Sequence, residues 1–144
     1  MTAVVTCVRD RILAFHGDLL IAVDSLEGLR GWADSVVAFH RQGPRWTGCP
    51  LGTLSSELMS VAETGRTDIQ EAFDAWQLIL RQTLARLQDS GNLRADADPE
   101  RLATATLAAL EGGLLMSKAL QDETPLAIAL DAALGHLGTF ASTQ

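Results

Sequence analysis

The side chains in this sequence best suited to ligate a metal or attack a carbonyl are three histidines and two cysteines, His16, His40, His136, Cys7 and Cys49. They lack the close-spaced pairing that zinc sites use. Asp96-Ala97-Asp98 could open a calcium loop, but Arg101 stands at the sixth position, where the sharp turn needs glycine. Neither a phosphate-cradling glycine loop nor a nucleophile elbow is present. The expectation is therefore a protein with no catalytic residues, no metal and no cofactor, which is not an enzyme.

Composition narrows the class further. The chain has 144 residues and is 47% hydrophobic, enough for one domain with a sizeable core. Leu and Ala dominate and Tyr is absent, which favours helices, because straight-chain side chains lose little rotamer freedom there. The formal charge is −7, and its excess lies in residues 51–144, with six Lys or Arg against thirteen Asp or Glu. Such a surface repels a phosphate backbone, so no direct nucleic-acid binding by this chain is expected. Cys7 and Cys49 follow no secretory leader pattern, so both thiols are expected free in a reducing, cytoplasmic setting. The most membrane-like stretch, Leu102 to Leu120, carries Glu111 near its centre, where a carboxylate would be costly in lipid, so it is assigned to a protein interior.

Apolar spacing predicts an all-α chain of about six helices. The first runs from about Val4 to Val23, with no cap at its start, and the second from about Leu26 to Gln42 behind Asp24 and Ser25. After the Gly- and Pro-rich connection Gly43–Gly52, a short helix is predicted from Thr53 to Glu63 and stopped by Gly65. Thr67 with Gln70 reads as a capping box opening the fourth helix, which continues to about Ser90. Asp98-Pro99-Glu100 starts the fifth, and Thr124-Pro125 starts a sixth that reaches Phe140.

The last two helices have more apolar surface than one core can cover. At 100° per residue, Glu100, Thr104, Glu111, Lys118 and Asp122 fall in one polar stripe of the fifth helix, assigned to solvent or an interface rim. Apolar residues occupy both flanks. Leu107, Leu110 and Leu114 on the fifth helix and Ile128, Ala132, Gly135 and Thr139 on the sixth are candidates for a four-helix bundle across a two-fold axis. Gly112, Gly113 and Gly135 are the expected points of closest approach, since glycine inside a helix costs about 1 kcal/mol relative to Ala and close contact offsets it. A homodimer is the expectation. On this reading Gly113→Leu would push the dimer apart.

The order GCPLG, a short helix, FDAW in a long helix, a Gly-Asn-Leu turn, DPERLA and an ALEGGLL helix resembles the C-terminal, effector-binding and dimerisation part of bacterial TetR-family transcriptional regulators, best from Gly48 to Leu137. The resemblance implies a repressor-type regulator whose helices surround a pocket for a small hydrophobic or amphipathic effector. It puts Trp32, Trp46, Phe73 and Trp76 in the aromatic wall, with His16, His40 and Met116 beside them. Core packing accounts for the aromatic residues and Met116 as well, and a backbone carbonyl could equally satisfy either imidazole. The resemblance aligns residues 4–23 with the helix that joins this part to a DNA-reading head. Residues 1–144 contain no short helix, tight turn and basic recognition helix of the kind the major groove demands, so DNA contact would require an N-terminal domain outside them. The alternative is a ligand-free dimerisation module without a reading head.

Overall fold

The computed structural model describes residues 2–143, and these form six α-helices: α1 (Ala3–Leu20), α2 (Leu26–Arg41), α3 (Pro50–Leu58), α4 (Glu63–Asp89), α5 (Pro99–Leu120) and α6 (Thr124–Gly138). The all-α expectation is met. Of these helices α5 packs most extensively on α6, while α4 is flanked by α1 and α5 and α2 lies against α6. Trp32, Trp76, Leu80, Leu84, Leu110 and Leu126 are among the side chains buried where they meet. Among the described residues no helix is long and apolar enough to cross a membrane.

Local chemistry explains most helix ends. Asp98 Oδ1 accepts the N–H groups of Glu100 and Arg101 at 3.1 and 3.3 Å, and Pro99 follows at the first helical position. Ser25 Oγ accepts from Gly28 N–H at 3.0 Å and opens α2. The start of α1 is capped after all: Thr2 Oγ1 accepts from Val5 N–H at 3.3 Å, and Thr2 N–H donates to Asp68 Oδ2 on α4 at 2.8 Å. At the other end, Arg86 of α4 donates to the Leu20 carbonyl at 2.9 Å, so α1 stops at Leu20 rather than Val23.

The bounds of α3, α4 and α6 differ from those predicted. Helix α3 begins at Pro50, with Thr53 Oγ1 donating back to the Cys49 carbonyl, and ends at Leu58. Thr67 and Gln70 do not form a cap, because α4 already starts at Glu63 and Thr67 Oγ1 donates to the Glu63 carbonyl at 3.2 Å. Gly65 is no stop signal either. It lies buried in the first turn of α4, where a Cβ would stand 2.6 Å from the Leu58 carbonyl oxygen, so glycine there lets the end of α3 cross α4. At α6, Thr124 is the first helical residue and Asp122 Oδ1 accepts from its N–H and Oγ1. The chain leaves α6 after Gly138, and the Phe140 carbonyl accepts from Arg94 N–H at 2.8 Å, tying the C-terminal segment to the turn between α4 and α5.

Candidate functional site

A cavity of about 220 Å³ lies among α1 to α5. Helix α1 contributes Arg11, Ile12, Phe15 and His16, and α2 contributes Phe39 and His40. Cys49 and Pro50 at the start of α3, Trp76 of α4 and Leu114 of α5 complete the wall. The lining is mainly apolar with few polar atoms, the composition of small-molecule sites.

The polar atoms are ordered by specific contacts. Trp32 Nε1–H donates to His16 Nδ1 at 3.0 Å, which fixes the neutral imidazole with its proton on Nε2. Burial, with a lesser contribution from His40, lowers the His16 pKa to about 4, and burial also lowers that of His40. Both rings are therefore neutral at neutral pH. His16 packs on Trp76 with centroids 4.8 Å apart, and Phe73 stacks on the same indole at 6.3 Å. Trp76 is 1% exposed, yet its Nε1–H has no acceptor in the protein.

Of the sequence candidates, His16, His40 and Trp76 line the cavity, while Trp32 stands behind His16 and Phe73 behind Trp76. Trp46 stacks on His40 at 6.3 Å, in a loop pinned by the Gln121 side chain, whose Oε1 accepts from Trp46 N–H and whose Nε2 donates to the Trp46 carbonyl. Met116 is a correction: it is 55% exposed on the outer side of α5 and does not line the cavity. Leu114 takes the α5 position in the wall instead. Arg11, Ile12, Phe15, Phe39, Cys49 and Pro50 also line the cavity and were not among the candidates. Phe15 and Phe39 adjoin His16 and His40 in sequence, a signal that could have found them.

A second hollow, a groove of about 460 Å³, separates α3 from α5. Glu111, expected in solvent or at an interface rim, faces this groove. Burial pushes its carboxyl pKa up, an effect partly offset by the neighbouring Cys49 thiol. The thiol itself is pushed up to about 12, first by burial and then by the Glu111 charge. Glu111 Oε2 comes so close to α3 that a Cβ on Gly52 would stand 2.9 Å from it. Cys49 lines both hollows and forms part of the wall between them. Among the described residues no three His, Cys, Asp or Glu side chains come together as a metal site would require.

The interface candidates divide in two. Leu107, Leu110, Gly113 and Leu114 are buried within the chain and cannot form an outer face. Gly113 in particular serves the contact between α5 and α6, where a Cβ would lie 2.9 Å from Leu126 Cα. Gly112, Ala132, Gly135, Thr139 and Ile128 are exposed, Ile128 by 62%. Beside them on α5 lie Leu115, Met116 and Leu120, at 68, 55 and 63% exposure.

The comparisons agree with this architecture. Residues 25–133 match the family model described as "Tetracyclin repressor-like, C-terminal domain", and the chain belongs to that family. It is similar to the HTH-type transcriptional repressor DhaR of Mycobacterium sp. (strain GP1), with 29% identity over 55% of this chain and 40% of that protein. It is also similar to the HTH-type transcriptional regulator YxaF of Bacillus subtilis (strain 168), with 30% identity over 55% and 39%. The matched stretch thus spans about two-fifths of these relatives' length. The regulatory protein TetR from Rhodobacter sphaeroides has the same fold, with a TM-score of 0.84, 22% identity, and coverage of 93% of this chain and 72% of that one.

Proposed function

We propose that this chain is the effector-sensing and dimerisation part of a transcriptional regulator, binding a small hydrophobic or amphipathic molecule in the cavity among α1 to α5. The observation that carries the reading is the cavity itself, walled by Phe15, Phe39, Trp76 and two neutral histidines. Support for a regulatory role comes from the relatives named as HTH-type regulators, although DNA would be contacted by a domain outside these residues. Four of the lining residues, Arg11, Ile12, Phe15 and His16, lie on α1. An effector that fits one position of α1 better than another would shift it, since a ligand moves an equilibrium only through differential affinity. In a dimer, that shift would alter the separation of two reading heads, which must match half-sites about 34 Å apart.

The exposed face of α5 and α6 is the surface for pairing. Leu115, Met116, Leu120 and Ile128 supply bulk there, and Gly112 and Gly135 leave room for a facing helix, as no atom within the chain lies within 4 Å of a Cβ at either.

Thermal unfolding of the chain with ethylbenzene or acetophenone tests the sensing role. A ligand at a hundredfold excess over its Kd stabilises by about 2.7 kcal/mol, which raises Tm by several degrees. Leu114→Phe, which narrows the cavity, should abolish the shift. Absence of any shift in the wild-type chain would leave the ligand-free dimerisation module as the better reading.

A further inference from the structure

The titratable groups lining the cavity run against the composition of the chain. The sequence has 11 Lys or Arg against 18 Asp or Glu, yet among the described residues the lining holds Arg11, His16 and His40 and no carboxylate. Arg11, Phe39 and Pro50 are its exposed members and mark the mouth. Both imidazoles keep polar atoms within a ligand's reach. His16 Nε2–H and the two ring nitrogens of His40 have no hydrogen-bond partner among the described residues, and unlike Trp76 Nε1 they retain accessible surface. His16 is only 5% exposed, and the cavity is the hollow it lines. The rings lie at the two ends of one aromatic series: His16 meets Phe15 edge-on at 5.0 Å, Phe15 meets Phe39 at 4.6 Å, and Phe39 meets His40 edge-on at 5.2 Å. Their capacities for a proton differ. The basic nitrogen of His16 is Nδ1, which Trp32 occupies, so a proton there would break a buried hydrogen bond. His40 has its basic nitrogen free. Towards it α1 brings Arg11 and His16, the residue before α3 brings the neutral Cys49 thiol, and α4 and α5 bring the uncharged Trp76 and Leu114. Arg41, next on α2, is engaged by Glu123, and Glu111 lies beyond Cys49 in the neighbouring groove.

We infer that the effector is a weak organic acid, an apolar body ending in one carboxylic group, which accepts from His16 Nε2–H and is taken up with a proton from solvent that His40 holds. This rests on the sensing role proposed above and narrows it to a chemical class. A bare carboxylate in a desolvated site is costly, and an imidazolium formed beside it offsets that cost through a charge-assisted hydrogen bond. A ketone of the same shape gains a hydrogen bond without drawing a proton, and an ammonium finds no carboxylate to pair with. The volume, about 220 Å³, exceeds the roughly 150 Å³ apolar cavity that holds benzene, which suits a singly substituted ring or an aliphatic acid of that bulk.

Three probes of nearly equal size separate the possibilities: benzoate, acetophenone and benzylamine, titrated calorimetrically into the full chain at about pH 6.5 and about one unit higher, in two buffers of different ionisation enthalpy. Burial keeps free His40 neutral over this range, so benzoate should bind with uptake of about one proton, and its Kd should rise on the order of tenfold from the lower pH to the higher. Acetophenone should bind without proton uptake and with the same Kd at both. His40→Gln, whose amide offers a donor and an acceptor but holds no proton, should remove the uptake and the pH dependence for benzoate. The uptake in the wild-type protein decides the matter even if that variant does not fold. Benzoate binding without proton uptake, or tighter binding of acetophenone or benzylamine at the lower pH, would overturn the acid class and leave a sensor of another chemistry. Uptake that persists in folded His40→Gln would overturn His40 as the holder of the proton. Failure of all three to bind would remove the sensing role itself.

Discussion

Trp32 and His16 are joined across α2 and α1 by a 3.0 Å hydrogen bond in which the indole N–H donates to Nδ1. Both side chains are buried, so the bond braces the cavity wall and holds the imidazole in one tautomer. His16→Leu would leave the Trp32 donor unpaired in the core and lower stability by about 1–3 kcal/mol. Trp32→Phe in the same background should restore part of that loss relative to additivity, because the orphaned donor is then gone. Urea denaturation of the two single variants and the double variant measures the coupling, and strict additivity would deny the bond an energetic role.

The same imidazole makes stability depend on pH. Its folded pKa of about 4 lies below the ordinary 6.5, so between those values the unfolded chain binds the proton that the folded chain refuses. Stability contributed by neutral His16 is fully present above pH 6.5 and is lost as pH falls towards 4. At about 1.4 kcal/mol per pH unit, the loss is on the order of 3 kcal/mol. His40, lowered by burial, acts in the same direction. His16→Leu should flatten much of this slope, as read from denaturation midpoints between pH 4 and 7.

Adjacent glycines on α5 should respond in opposite ways. Gly113→Leu would drive a side chain into the α6 backbone at Leu126 and destabilise the single chain by about 1–3 kcal/mol or more. Gly112→Ala meets no atom within 4 Å inside the chain and should gain up to about 1 kcal/mol of helix propensity in the subunit. If the outer face pairs two copies, Ile128→Glu should halve the mass measured by light scattering while circular dichroism is unchanged. A mass that stays the same would reject this face as the interface.

Cys7 and Cys49 should differ sharply in reactivity. Cys7 is exposed, whereas Cys49 is buried with its thiol pushed up to about 12. A disulfide reagent at pH 8 should therefore label one thiol rapidly in the native protein and the second only on unfolding. Glu111 bears on the same pair. Because burial raises its folded pKa, the stability it favours is complete below about pH 4.5 and declines as pH rises through the folded value. Glu111→Gln should remove that decline, measurable as a higher denaturation midpoint at pH 8.

Where helices exist was legible in the sequence because the causes are local. Asp98-Pro99 and Ser25 start α5 and α2 as expected, and apolar spacing along Ile69, Ala72, Trp76, Leu80 and Leu84 marks the buried side of α4. The family resemblance put His16, His40 and Trp76 beside a pocket, and these three line the cavity.

Tertiary structure decided which of several equivalent signals prevailed. Thr67 with Gln70 is a sound local cap, yet α4 starts earlier because Gly65 admits the Leu58 carbonyl from α3, a contact between segments that no local pattern encodes. Helical periodicity separates Leu114 from Met116, but it does not say which faces inward. Packing of α5 against α4 and α6 turns Leu114 to the cavity and Met116 to the outside. Glu111 shares a stripe with exposed Glu100 and Lys118, and only the approach of Gly52 on α3 and of Cys49 just before it shields it from water. Sequence by itself determined the helices and their apolar faces, through backbone preferences and side-chain spacing. The placement of those faces, and with it the cavity, was decided by contacts among distant segments.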